Sequence, residues 1–300
     1  MRVLAAVDGS RGSVVAAGYG ALLASASGGG VLLAHVIEEQ APSASTELAA
    51  LRRRSGEEAL ALARDFIQPF RVSVEERILT GPRAPALIAE AKASGCGLVA
   101  MGSRAVTQTI IGRLLTGSTA LGVLDGAPAP VLLVPDRVAD PSRQAEVRSL
   151  LVPTDGSRAS LDAAELAAEI ATLTRSRVLL LHCEEEPVPE GFAALAVSGA
   201  DRERVLRGQE SLGRLILHAT QEPFLRRKQA VDLLHVTGTP AAEIVREARE
   251  KGFSLIVMGS YGAGEGFLRR KRLGSVAEAV LGTAPCPVII HKHEPSRGGA

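Results

Sequence analysis

The stretch LLVPTDGSRAS, residues 150–160, joins a short apolar run to an Asp-Gly-Ser turn and to the start of a segment rich in alanine. A closely similar stretch, VLAAVDGSRGS, stands at residues 3–13. An apolar run that ends in a polar turn before an Ala-rich segment is typical of a buried β-strand followed by an α-helix. The chain is therefore predicted to contain this strand–turn–helix unit twice, with Asp8 and Asp155 at the equivalent strand ends.

The two halves of the sequence remain similar beyond these units. Further matches join residues 32–36 to 179–183, 79–103 to 236–260, and 114–134 to 271–290. Equivalent residues are 147 positions apart at the aspartates (155 − 8) and 157 apart at later glycines (259 − 102), so the second half carries an insertion near its second helix. Such a long period predicts two homologous domains, residues 1–137 and 148–294, with the polar segment 136–149 as their linker.

Each half alternates short apolar runs with longer helical segments. The pattern predicts third strands near residues 70–78 and 229–236, and following helices near 85–94 and 240–251. The apolar runs consist of Val, Leu, Ile and Ala without polar alternation, which is typical of strands covered on both faces. The predicted fold class is therefore α/β, with two tandem Rossmann-like domains that each contain a five-stranded parallel sheet between layers of helices.

The composition of the 300-residue chain limits the classes of partner and the cellular locations that we expect. Its net charge is +1, 3% of its residues are aromatic and it has no Trp, so we expect no nucleic-acid binding. No apolar run is long enough to cross a bilayer, and the first residues lack the pattern of a secretory signal. Cys96, Cys183 and Cys286 are odd in number and far apart, which favours reduced thiols and a cytoplasmic location over disulfides or a zinc site.

The clearest candidate site is a glycine-rich stretch after the fourth strand of the second half, MGSYGAGEGFLRRKRLGS at residues 258–275. The carboxyl ends of the first, second and fourth strands should meet at the edge where open α/β sheets bind ligands. Glycine amides and a helix that begins at Gly274 suit a phosphate group, and Ser275 can cap this helix or donate its hydroxyl to the phosphate. The four cations at 269–272 either neutralise phosphate charge or form a solvated face.

Other polar residues carry weaker signals. Asp8 and Asp155 either cap the helices that follow them or accept a hydrogen bond from a ligand amine or ribose hydroxyl. His35 and His182 are expected to be packed or surface histidines near the site without a catalytic partner, and the acidic residues 184–186 are expected to be solvated. The sequence has no Walker motif, dinucleotide fingerprint or activated nucleophile, so we predict neither catalytic residues nor a metal site.

Three features together resemble the universal stress protein family: an Asp at the end of strand one, G-x-x-G after strand four, and Gly-Ser at the next helix. The chain is similar to the tandem members of that family over both halves. The resemblance implies the strand order 3-2-1-4-5, and it implies that the halves pair through their last strands, residues 130–134 and 287–291. It also implies adenine-nucleotide binding, with ATP as the ligand and Mg²⁺ as its possible companion, and leaves open a homodimer of whole chains.

The resemblance assigns nucleotide contacts residue by residue. In the second half they are Asp155 at the adenine edge or ribose, Cys183 at the adenine, and Met258, Gly259, Gly262, Gly274, Ser275 and Val276 around the ribose and phosphates. In the first half they are Asp8, Val36, Met101, Gly102, Gly117, Ser118 and Thr119. The family spaces its G-x-x-G and Gly-Ser motifs by nine residues, whereas both halves here have 11, and Ala105 replaces the glycine that stands at 262. Since a Cβ could obstruct a phosphate, we expect the second site to be occupied more readily.

These observations support three hypotheses for function. The first is a cytoplasmic stress-response protein that binds ATP in its glycine loops and acts as a nucleotide-dependent regulatory module. The second is a slow ATP hydrolase of the same fold, which turnover that depends on Ser275 would reveal. The third is a nucleotide-free regulator that binds a transporter or kinase.

Overall fold

The structure is a computed structural model that describes residues 1–38, 46–103, 105–106, 115–116, 118–185, 199–261 and 273–292. The first half contains β1 (Val3–Ala6), α1 (Arg11–Ala26), β2 (Gly30–Ile37), α2 (Thr46–Ile67), a 3₁₀ turn (Gln68–Phe70), β3 (Ser73–Thr80), α3 (Arg83–Ala93), β4 (Leu98–Ser103), β5 (Ala105–Val106), β6 (Leu115–Thr116), α4 (Ser118–Gly126) and β7 (Val131–Pro135). The second half contains β8 (Ser149–Pro153), α5 (Arg158–Thr174), β9 (Arg177–Glu184), α6 (Gly199–Arg226), β10 (Asp232–Thr237), α7 (Pro240–Glu250), β11 (Leu255–Gly259), α8 (Ser275–Thr283) and β12 (Val288–His291).

Ten of these strands form one sheet in the order β10-β9-β8-β11-β12-β7-β4-β1-β2-β3. Within each half the five strands are parallel and follow the order 3-2-1-4-5, as the resemblance implied. The two halves meet where β12 pairs antiparallel with β7, with Ile289 opposite Leu132. The predicted α/β class and the pairing through the last strands are therefore both observed.

Helices cover both faces of the sheet because neighbouring strand residues point to opposite sides. In β1, Val3 and Ala5 belong to the core under α1 and α2, whereas Leu4 belongs to the core under α3 and α4. The second half repeats this division, with α5 and α6 on the first face and α7 and α8 on the second. The edge strand β3 differs from the other strands of its half, since most of its side chains are exposed.

The segment between the halves packs more closely than its polar sequence predicts. Ala139, Ala145 and Val147 are buried. Arg137 donates a hydrogen bond from Nη2 to the carbonyl oxygen of Ala284 at 2.7 Å, directly after α8 of the other half. The segment is thus anchored to the second half and is not a loose tether.

Among the helices that the structure describes, none has both the length and the apolar character needed to span a membrane.

Candidate functional site

Each half has a cleft at the carboxyl ends of its strands, which is where parallel α/β sheets are expected to bind ligands. The second-half cleft has a volume of about 380 Å³, and the ends of β8, β9 and β11 and the start of α8 line it. The first-half cleft has a volume of about 600 Å³ and is lined by the equivalent ends of β1, β2 and β4 and the start of α4. Both volumes are in the range of small-molecule sites.

The structure brings together most of the residues that the sequence assigned to the second site. The lining includes Asp155, Cys183, Met258, Gly259, Gly274, Ser275 and Val276. Gly262 and the cations at 269–272 lie outside the described residues. The assignment of phosphate contacts to that stretch therefore stays a prediction.

The first site is assembled in the same way. The lining includes Asp8, Val36, Met101, Gly102 and Thr119. Ser118 is the first residue of α4, and Gly117 lies outside the described part of the chain. The proposed obstruction by Ala105 stays a prediction as well, because its counterpart at 262 is not described.

The Asp-Gly-Ser turn holds the carboxylate of each aspartate at the wall of its cleft. Oδ1 of Asp155 accepts a hydrogen bond from the amide of Ser157 at 3.0 Å, and Gly156 between them adopts φ +76°, which favours glycine. Ser157 is the N-cap of α5, and its hydroxyl accepts the amide of Ser160. The interpretation of the aspartates as helix caps is therefore wrong: the serine two positions later caps each helix, while the carboxylate closes the turn at the cleft wall.

Gly259 and Gly102 have a packing role that the sequence did not reveal. A Cβ on Gly259 would lie 2.8 Å from the carbonyl carbon of Ala159 and 2.9 Å from the amide nitrogen of Ser160. A Cβ on Gly102 would lie 2.7 Å from the amide nitrogen of Ser13. Each glycine therefore lets the end of a central strand touch the first turn of a helix, in addition to lining its cleft.

The start of α8 presents unsatisfied amides to the second cleft. The amide of Gly274 donates to the carbonyl oxygen of Ser260 at 2.8 Å, and the first intrahelical bond runs from Glu278 to Gly274. The amides of Ser275 and Val276 consequently have no acceptor within the helix. Gly274, and not Ser275, is the N-cap, so the expected capping by the Ser275 hydroxyl is wrong.

Ser260 is a lining residue that sequence reasoning missed. It is 2% exposed, and among the described residues its hydroxyl has no hydrogen-bond partner. A buried polar group without a partner costs free energy, so an unpaired hydroxyl in a cleft wall is a strong indication of a ligand contact. The signal was present in the sequence, because Ser260 lies inside the G-x-x-G motif.

The thiol of Cys183 and the imidazole of His182 are packed near this cleft. Burial, with smaller contributions from Glu243 and Glu185, raises the pKa of Cys183 to about 11, so its thiol stays protonated at neutral pH. His182 donates its Nδ1–H to the carbonyl oxygen of Thr154 at 2.8 Å, as expected for a packed histidine.

The prediction that the acidic residues 184–186 are solvated is wrong for Glu184, the last residue of β9. Glu184 is 18% exposed, and its Oε2 lies 3.4 Å from Nε2 of His235, whose ring stacks on His182 with 5.5 Å between ring centroids. Glu185 is exposed, and residue 186 lies beyond the described range. The strand therefore continues one residue farther into the protein than the acidic run suggested.

Comparison with known proteins decides the family. The family model described as "Universal stress protein family" matches residues 1–135 and 146–292, which is almost the entire chain. The chain belongs to the universal stress protein family. Its two matches correspond to the two halves of the ten-stranded sheet, so the chain is a tandem member of this family.

Individual universal stress proteins resemble one half of the chain. One from Bacillus subtilis is 30% identical over 144 residues, which cover 47% of this chain and 96% of the relative. Another from Methanocaldococcus jannaschii is 33% identical over 152 residues, which cover 48% of this chain and 82% of the relative. A universal stress protein from Archaeoglobus fulgidus has a similar fold over 98% of both chains, with a TM-score of 0.68 and 21% identity.

Proposed function

We propose that the protein binds an adenine nucleotide, ATP in the first place, in its second-half cleft, and acts in the cytoplasm as a nucleotide-dependent regulatory module of the stress response. Each domain, residues 1–137 and 148–294, would form one such module. The observation that carries this proposal is the buried, unpaired hydroxyl of Ser260 beside the free amides of α8.

These two features together suit a phosphate group. A hydroxyl can donate to a phosphate oxygen, and the N-terminus of a helix supplies further donors and a partial positive charge. Ser260 and α8 are tied to each other by the bond from the amide of Gly274, so they form one rigid cradle. The glycines and cations of residues 262–272 would add further donors to the phosphates.

The remaining lining suits a nucleoside. The carboxylate of Asp155 can accept hydrogen bonds from ribose hydroxyls, while Leu181, Ile244 and the neutral Cys183 offer an apolar slot for the base. No group of three metal ligands occurs among the residues that the structure describes. Mg²⁺ would arrive bound to the triphosphate, and the carboxylate of Asp155 lines the same cleft.

Calorimetric titration of the purified protein with ATP tests the proposal. Ser260→Ala should weaken ATP binding at the second cleft by roughly tenfold to a hundredfold, which corresponds to one hydrogen bond to a charged group. Asp155→Ala should also weaken it, whereas Ser142→Ala in the exposed interdomain segment should not. Wild-type protein that neither releases nucleotide on denaturation nor binds added ATP would refute the proposal. Phosphate release measured alongside should stay at background, since no catalytic residues were assigned.

A further inference from the structure

The two clefts differ at the end that lies away from the phosphate cradle. In the strand order 3-2-1-4-5, a ligand whose phosphates lie at the fourth strand reaches the ends of the second and third strands with its base. Both halves place a glutamate after the second strand, Glu38 in the first half and Glu185 in the second. At the start of the next helix, however, α3 begins with Arg83 and α7 begins with Pro240.

In the first half this arginine and glutamate form a charged pair in the cleft wall. Nη2 of Arg83 lies 3.1 Å from Oε2 of Glu38, and their side chains are 57% and 49% exposed. Arg52 of α2 also lines the cleft, and its Nη1 donates to the carbonyl oxygen of Glu38. The pair thus presents guanidinium donors and carboxylate acceptors side by side, with access from the cleft.

The second half keeps the carboxylate but lacks the guanidinium at the equivalent place. Glu185 lines the cleft, whereas the start of α7 contributes Pro240 and Ile244 in place of an arginine. The acceptors O6 and N7 of a guanine would lose hydrogen bonds to water beside these apolar side chains without gaining a charged donor, so this wall favours a base without that pair of acceptors.

Purines differ in what such walls can recognise. Guanine carries adjacent acceptors at O6 and N7 and adjacent donors at N1 and N2, so it can bind a guanidinium and a carboxylate in a bidentate manner. Adenine replaces O6 with a donor at N6, so neither charged group can bind it with two parallel hydrogen bonds of the correct sense. Guanine therefore complements Arg83 beside Glu38, whereas adenine suits the second cleft, where Pro240 and Ile244 stand in place of the arginine.

We propose that the first-half cleft prefers a guanine nucleotide and the second-half cleft an adenine nucleotide, with Arg83, held beside Glu38, as the residue that determines this difference. The proposal rests on nucleotide binding as the proposed function of both clefts. It assigns distinct ligands to the two halves of one chain, and it places the selectivity in a single exchanged position, Arg83 against Pro240.

The test compares GTP with ATP in each cleft separately. Asp155→Ala weakens the second cleft and Asp8→Ala weakens the first, so that calorimetry of the two full-length variants assigns each Kd value to one cleft. We expect the first cleft to bind GTP at least about fivefold more tightly than ATP, which is the low end for a bidentate contact because the pair is half exposed. Arg83→Pro should abolish that preference, and the reciprocal Pro240→Arg should shift the second cleft toward GTP.

The controls separate this inference from the proposed function. Arg53→Ala removes another α2 arginine, which pairs with Glu57 on the exposed surface, and should leave both ratios unchanged. Nucleotide binding at the first cleft with equal affinity for GTP and ATP, or a preference that survives Arg83→Pro, would overturn the inference and leave the proposed function intact. Failure of both clefts to bind any nucleotide would overturn the two together. Circular dichroism of each variant confirms that a lost preference is not lost folding.

Discussion

At the scale of single residues, the glycines at the ends of β4 and β11 combine packing with a place in the cleft wall. Gly259 touches the backbone of Ala159 and Ser160, and Gly102 touches that of Ser13 in the same way. Backbone atoms cannot move aside as the end of a flexible side chain can. The same position therefore ties the sheet to a helix and brings bare backbone to the ligand.

Gly259→Ala should destabilise the protein, since its Cβ would lie closer than 3.0 Å to backbone atoms of α5. Overpacking of this kind costs about 1–3 kcal/mol, which urea denaturation can measure. Gly208→Ala is the matched control: its added Cβ meets no atom within 4 Å, and a helical Gly-to-Ala change should stabilise by about 0.5–1 kcal/mol. Equal stability of Gly259→Ala and wild type would show that the strand end can move away from the helix.

The sequence located these residues but not all of their roles. The family resemblance assigned nucleotide contacts in the second half, and those of the assigned residues that the structure describes line the second cleft. The sequence did not identify Ser260 as a site residue, because serine occurs both on protein surfaces and in the walls of binding clefts. Its importance depends on burial without a partner, which only the three-dimensional packing of β11 against α8 reveals.

At the scale of elements, α1 and α5 begin with the same arrangement of turn and cap. Ser10 caps α1 as Ser157 caps α5, each by accepting the amide three residues later. The sequence predicted a helix start at Asp-Gly-Ser correctly, yet Asp and Ser are both good caps. Which of the two residues caps the helix depends on the positive φ of the glycine between them. This glycine forms a turn in which the aspartate carboxylate accepts the amide of the serine.

Ser10→Ala should lower the free energy of unfolding by about 1 kcal/mol, because the amide of Ser13 loses its acceptor at the start of α1. Ser10→Asn, which keeps a neutral side-chain acceptor, should restore most of the loss. Chemical denaturation followed by circular dichroism gives both values. A loss that Asn fails to restore would mean that the hydroxyl of Ser10 has a role other than capping.

At the scale of the whole molecule, the halves form one sheet and exchange contacts across their junction. Arg137 of the first half binds carbonyl oxygens at the end of α8, and Lys292 of the second half donates to the carbonyl oxygen of Asp125 in α4. Strand β6 of the first-half glycine loop also contacts α8. The repeat in the sequence predicted two similar domains, but long-range contacts such as these leave no periodic pattern for a sequence to show.

Arg137→Ala should lower the free energy of unfolding by about 1–2 kcal/mol, since the carbonyl oxygen of Ala284 would lose a charged donor in a half-buried place. Arg148→Ala is its control in the same segment, because that side chain is 78% exposed and pairs with Glu146 at the surface. Calorimetry gives both melting temperatures. Equal losses in the two variants would show that the contact across the junction contributes no more than a surface ion pair.

The antiparallel pairing of β7 with β12 also fixes the directions in which the two clefts open. The strands of one half run in the opposite direction to those of the other half, so the two clefts open at opposite edges of the sheet. A ligand that enters one cleft therefore does not block the entrance of the other cleft.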